Sequence, residues 1–269
     1  MIGSLLAMVL AQSTCGAPPS VSALLDGDQR FVVVGEMHGT TETPAAFAQI
    51  VCEATTRGAV TVALEMPEAM QPNLDAFLIA DSDTAALSSL EGTPFVDPTM
   101  VDGRTSRAML AMMQSLRRLK AEGRDIAIHA FQPGSSGGGQ LPQAYYELEM
   151  GRLLARAAVN RPQAKVFALV GNIHASKIVN PRLGLPAAAH LPADETVSLY
   201  VVQQGGEAWN CMQVCGANPL GMGYDADARG VIMGARGDGA YDGLLALGPT
   251  TASPPVTAAE TNYPSRSSE

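Results

Sequence analysis

The sequence predicts an α/β fold: a mainly parallel sheet flanked by helices, with a candidate site at the C-terminal rim of the strands. Three observations predict it. Apolar runs with strand character alternate with helix-length segments, the order that builds parallel sheets with right-handed crossovers. Three of the runs close on polar groups, at Gly35-Glu36-Met37-His38, Leu64-Glu65-Met66-Pro67 and Gly171-Asn172-Ile173-His174. With 269 residues, 46 % hydrophobic and 16 % charged, the chain has the size and composition of one large domain with a real core.

In order, a helix-like piece from Val21 to Leu25 precedes a first strand from Arg30 to His38. A helix from about Pro44 to Arg57 follows, with proline in its first turn and Gly58 just past its end. The second strand is Ala59 to Pro67. Residues Glu68 to Glu91 read as two short helices split by Asp81-Ser82-Asp83, and a long helix spans about Arg104 to Glu122, capped by Asp102. Strand three is the segment DIAIHAFQ, and the Gly/Ser-rich PGSSGGGQLP reads as a flexible lid or linker. A helix from about Pro142 to Val159 leads to strand four, AKVFALVGNIHASK. A further strand is expected near Thr196 to Gln203, and Gly206 to Gly223 reads as loop. GVIMGARGDGAYDGLLALG makes one strand or a hairpin turned at Gly237-Asp238-Gly239.

The boundaries expected are a signal peptide over 1–17, one α/β domain over 18–249 and a disordered Pro/Ser/Thr-rich tail over 250–269. The leader rests on a short apolar run and an A-x-S pattern, Ala11 to Ser13, and implies a secreted or periplasmic protein. The competing reading is a buried N-terminal helix. Cys211 and Cys215, four apart, read as a local disulfide in an exported chain, and Cys52 as a small core residue.

Net charge is −9 and the basic residues are scattered, which excludes nucleic acid as a partner. The one basic run, Arg117-Arg118-Lys120, reads as a solvated helix face. Nothing beyond the leader is long and apolar enough to span a bilayer. The expected partner is a small-molecule or peptide substrate; oligomeric state is not encoded legibly.

Strand C-termini in an open parallel sheet form one rim, and ligands bind outside it. Glu36, His38, Glu65 and His174 therefore converge without being close in sequence, and Glu36 and His38 point to one face of an extended segment. Each alone reads as hydrogen-bonded structure. Four together read as a site, because burying unpaired acids is costly. Arg104 is either a surface residue behind an Asp102 cap or a rim cation that holds an anionic group. His129, inside strand three, reads as core, and of the adjacent Tyr145 and Tyr146 one packs while the other is exposed.

A G-E-x-H-G strand ending (Gly35–Gly39), an acid closing strand two (Glu65) and a second G-x-x-H (Gly171–His174) resemble the superfamily that groups erythromycin esterases, ChaN-like haem-uptake proteins and TIKI/TraB-type proteins. The resemblance runs over about Arg30 to Lys177. Its TIKI-like branch implies a metal-dependent peptidase, with His38, His174 and Glu36 or Glu65 holding a divalent metal (Mn, Co, Zn or Fe). Its esterase-like branch implies His38 as a metal-free general base on water, oriented by Glu65, with Glu36 and His174 binding or polarising substrate. Glu42, in the segment after the first motif, joins Arg104 and Asn172 as substrate-binding candidates. Haem, held by Tyr and His in ChaN-like dimers, is the weaker cofactor expectation, because no tyrosine here matches that position. The function expected is hydrolysis of an ester or amide bond by water activated at His38 with Glu36, Glu65 and His174, with or without a metal. The alternative is a non-catalytic haem- or metal-binding uptake protein of the ChaN type.

Overall fold

A computed structural model describes residues 15–134, 142–234 and 237–258. The short helix α1 (Ser22–Leu25) leads into β1 (Phe31–Glu36), α2 (Glu42–Thr55) and β2 (Val60–Pro67). The two short helices expected next are α3 (Gln71–Ile79) and α4 (Asp83–Ser89), the latter capped by the Ser82 hydroxyl, which accepts from Ala85 N–H. Then come α5 (Arg107–Ala121), β3 (Ile126–Gln132), α6 (Gln143–Asn160), β4 (Lys165–Gly171), α7 (Asn172–Ala175) and β5 (Thr196–Val201). A hairpin of β6 (Glu207–Cys211) and β7 (Cys215–Pro219) precedes β8 (Gly230–Met233) and β9 (Gly243–Ala246).

Seven strands form one sheet in the order β3-β2-β4-β1-β5-β9-β8, parallel throughout except where β8 runs against β9. The mainly parallel α/β class is therefore correct. Side chains alternate along β1 as a two-residue period requires. Val32 and Val34 enter the core under α2, α3 and α5 with Phe47, Ile50 and Leu116, while Phe31 and Val33 enter the opposite core with Met150, Leu153 and Leu154 of α6. Both faces being covered explains why the central strands read as continuous apolar runs.

Several details differ from the sequence reading. The expected loop at 206–223 contains the β6–β7 hairpin, whose strands are too short and too polar to show alternation. Strand four ends at Gly171, and Asn172 to Ala175 turn into α7. The long helix begins at Arg107, not Arg104. Ser106 is its cap and accepts from Met109 N–H at 3.2 Å, while Asp102 caps a separate 3₁₀ turn, Gly103–Thr105.

Cys211 and Cys215 are disulfide-bonded across the hairpin, as expected, and Cys52 is bonded to Cys15 rather than free. That second bridge ties Cys15, which the expected leader includes, to Cys52 of α2. The rest of the leader, residues 1–14, lies outside the described residues, as do 135–141 of the Gly/Ser-rich segment.

The tail is also shorter than composition suggested. Residues 250–256 are held by backbone partners: Thr41 N–H donates to Thr251 O at 2.9 Å, Ser253 N–H to Gly39 O at 2.8 Å and Arg107 N–H to Pro254 O at 2.9 Å. Residues 259–269 lie outside the described residues. Among the described residues no helix is long and apolar enough to cross a membrane.

Candidate functional site

β2, β4 and β1 are neighbours, and their C-terminal ends bring the predicted polar groups together. Glu36 pairs in register with Gly171, and Leu64 with Leu169, which puts Glu65 beside the end of β4. Glu36 is buried and accepts from His38 Nδ1 at 2.9 Å. On the other side of the ring, His38 Nε2 stands 3.3 Å from Glu65 Oε2. Glu65 Oε2 also accepts Gly171 N–H at 2.8 Å, and its other oxygen lies 3.9 Å from Arg104 Nη1. The imidazole is thus strung between two carboxylates. The His38 side chain is 25 % exposed against 1 % for Glu36 and 7 % for Glu65, so the ring is what a ligand meets.

Glycines make this arrangement possible. A Cβ on Gly103 would collide with the backbone of His38 and Gly39, so only glycine lets the 103–105 turn sit against the end of β1 and bring Arg104 to the rim. Asp102 then clamps the guanidinium, accepting from Nε at 3.1 Å and Nη2 at 2.7 Å. Asp102 caps this turn, not the long helix as expected, and Arg104 lies 3.9 Å from Glu65 instead of on the open surface.

Gly171 has φ −53° and ψ 138°, a conformation open to any residue, so its backbone does not call for glycine. Its missing side chain does matter. The Cβ position is 3.1 Å from His38 Nε2, 3.3 Å from His174 Cδ2 and 3.5 Å from Glu65 Oε2. Three of the four predicted groups thus lie within 3.5 Å of where a side chain at 171 would begin.

His174, on α7, is carried by a residue the sequence reading missed. Glu147, fully buried on α6, lies 2.8 and 2.9 Å from His174 Nδ1 through its two oxygens. It falls in line with Met150, Leu154 and Ala157 on the apolar face of α6, and an acid at that spacing is the signal that could have found it. Tyr146 packs its ring 6.3 Å from that of His174, while Tyr145 is exposed.

The remaining candidates lie elsewhere. Glu42 accepts Thr251 N–H at 2.8 Å and anchors the 250–256 segment instead of lining the rim. Asn172 opens α7 and its carbonyl accepts from Tyr241 Oη at 2.7 Å. His129 is half-buried in mid-strand against α6, with Nε2 3.0 Å from Leu153 O.

The charges follow from this wiring. Burial alone would lower the proton affinity of His38, but the charge of Glu65, hydrogen bonds to Glu36 and Glu65, and the charge of Glu36 raise it to about 10. Burial pushes Glu65 up, yet His38, His174 and the Gly171 N–H hold it at about 2. For Glu36 burial outweighs the pull of His38, and its pKa is raised. Burial lowers and Glu147 raises the pKa of His174, with a net rise. At neutral pH the unliganded site therefore carries an imidazolium at 38 facing a carboxylate at 65.

The donor set of the metal expectation does not fit a metal ion. Both nitrogens of His38 face carboxylate oxygens and His174 Nδ1 is taken by Glu147, so these ring nitrogens are already paired with acids. Among the described residues no group of three or more His, Cys, Asp or Glu side chains is arranged to hold one.

A cleft of about 690 Å³ is lined by Met37, which links Glu36 to His38 in the chain, and by Gln203, Asn210, Asn218 and Leu220, among others. None of its described lining residues is charged.

No protein-family model matches the chain, and no curated protein sequence does. Solved structures do. A Bacillus cereus protein, 13 % identical, aligns over 91 % of this chain and 95 % of its own with a TM-score of 0.64. A succinoglycan biosynthesis protein, 10 % identical, aligns over 88 % and 91 % at 0.64. An erythromycin esterase mutant in its open conformation, 10 % identical, aligns over 85 % and 92 % at 0.61. These likenesses establish a shared fold, the one that erythromycin esterase has.

Proposed function

We propose that this protein hydrolyses an ester or amide bond with water activated at His38. One observation carries the reading: His38, the exposed ring of the site, has Nδ1 on buried Glu36 at 2.9 Å and Nε2 3.3 Å from Glu65 Oε2. A water hydrogen-bonded to the exposed His38 ring meets a base, with the Glu65 carboxylate as a neighbouring acceptor. Glu36 accepts the Nδ1 hydrogen and so selects the tautomer whose Nε2 lone pair takes the proton of the water. Arg104 supplies positive charge for the oxyanion that forms on the substrate carbonyl. The uncharged cleft beside Met37 suits the neutral part of such a substrate. No step is routed through a metal.

Two disulfides support an oxidising compartment and hence export. Steady-state assay of a panel of neutral esters and peptides, with and without a chelator, tests the function. Turnover unchanged by chelation is expected. A Soret band on haem titration, with no turnover, establishes the ChaN-type alternative instead.

A pH profile tests the role of Glu65. The base form of His38 is the neutral ring, so kcat/KM is expected to rise with pH toward about 10. The charge of Glu65 is the largest influence raising the His38 pKa. In Glu65→Gln that charge is gone, the imidazolium is less favoured, and the rising limb moves to lower pH while the plateau rate drops. A limb that stays in place in Glu65→Gln assigns it to another group.

A further inference from the structure

Glu147 is a carboxylate inside a helix–sheet core with every oxygen engaged. Besides His174 Nδ1, it accepts Ala187 N–H at 3.0 Å and the Gln143 side-chain amide at 2.9 Å. A buried acid with this many donors has its hydrogen-bonding capacity satisfied and its orientation fixed. Its partner ring is 18 % exposed, so the pair has a sealed end and an open end. With Nδ1 turned to α6, the opposite Cδ2–Nε2 edge of His174 faces the Cβ position at Gly171, 3.3 Å away at Cδ2. A carboxylate behind one ring nitrogen fixes its hydrogen there and sets what the other nitrogen does.

We infer that Glu147 is a positioning residue that makes His174 the general acid of the hydrolysis, delivering its Nε2 proton to the leaving group. The inference rests on the hydrolytic reading above and assigns the second half of the reaction. The water oxygen bonds to the carbonyl carbon as its proton passes to neutral His38 Nε2. The C–O or C–N bond then breaks, its electron pair goes to the departing atom, and that atom takes the proton from His174 Nε2. Solvent reprotonates His174 and accepts the proton held by His38. Two imidazoles beside Gly171, each backed by its own buried glutamate, thus divide the work: Glu36–His38 takes a proton and Glu147–His174 gives one.

Leaving-group dependence tests this in the full chain. The probes are two neutral esters of the same acyl group, a p-nitrophenyl ester, whose phenolate departs without a proton, and an ethyl ester, whose alkoxide does not. In Glu147→Gln, kcat on the ethyl ester is expected to fall by about 10²–10⁴-fold and on the p-nitrophenyl ester by only a few-fold, with KM little changed. Glu147→Asp restores part of the ethyl-ester rate, and His174→Ala reproduces the split independently of any fold defect in the Glu147 variant. Equal losses on the two esters, or none on either, overturn the inference while leaving the hydrolytic reading intact. If the wild-type protein hydrolyses neither ester nor any member of the panel, the hydrolytic reading fails and takes this inference with it.

Discussion

Gly171→Ala is expected to lose about a hundredfold or more in kcat/KM while folding to the same structure. The added methyl would press against the groups that hold the water, 3.1 Å from His38 Nε2 and 3.5 Å from Glu65 Oε2. Displacement of a reacting group by about 1 Å suffices for a loss of about 10²-fold. The backbone at 171 accepts alanine, and the hydrogen bond from its N–H to Glu65 survives, so stability falls by no more than the roughly 1–3 kcal/mol of local overpacking. Gly58→Ala is the control: its Cβ meets nothing within 4 Å, and activity should be unchanged. Circular dichroism and thermal melting establish the fold, and the ester assay reads the rate. Wild-type activity in Gly171→Ala would show that the reaction does not depend on that spacing.

Glu36→Gln is expected to separate activity from stability in the opposite sense. An amide in place of the carboxylate presents a donor to His38 Nδ1, favours the tautomer with hydrogen on Nε2, and removes the base. Loss of the correct tautomer lowers kcat by about 10²–10⁴-fold. Glu36 Oε2 is buried and has no hydrogen-bond partner among the described residues, and burial raises the pKa of the group. Removing a poorly compensated buried charge relieves a desolvation cost. The melting temperature of Glu36→Gln should therefore match or exceed that of the wild type, the trade of stability for function expected of a strained site. Thermal melts at neutral pH check it. A marked drop in melting temperature alongside lost activity would mean that Glu36 acts mainly as a structural anchor.

What was legible in the sequence follows from what local chemistry encodes. Strand endings that change from apolar to acidic and imidazole groups located Glu36, His38, Glu65 and His174, because a parallel sheet forces such endings to one rim. Glu147 was hidden because a lone acid in an amphipathic helix normally faces water, and only its place among Met150, Leu154 and Ala157 betrays it. The Cys15–Cys52 bridge joins residues 37 apart, and no spacing rule encodes such a pairing. Glu42 looked like a site residue through its closeness to His38, but it points to Thr251, in a segment whose Pro/Ser/Thr content imitated a disordered tail. That segment is ordered because Gly39, Thr41 and Arg107 complete its backbone hydrogen bonds, a tertiary fact that composition does not carry.

The comparison of wild type with His38→Ala on the neutral ester and peptide panel, at matched folded fractions and after chelation, tests the central claim most directly. Water activation at His38 predicts turnover of at least one substrate by the wild-type protein and a loss of about 10²–10⁴-fold in His38→Ala. Equal turnover by the two proteins, or turnover that vanishes from the wild type on chelation, would contradict it.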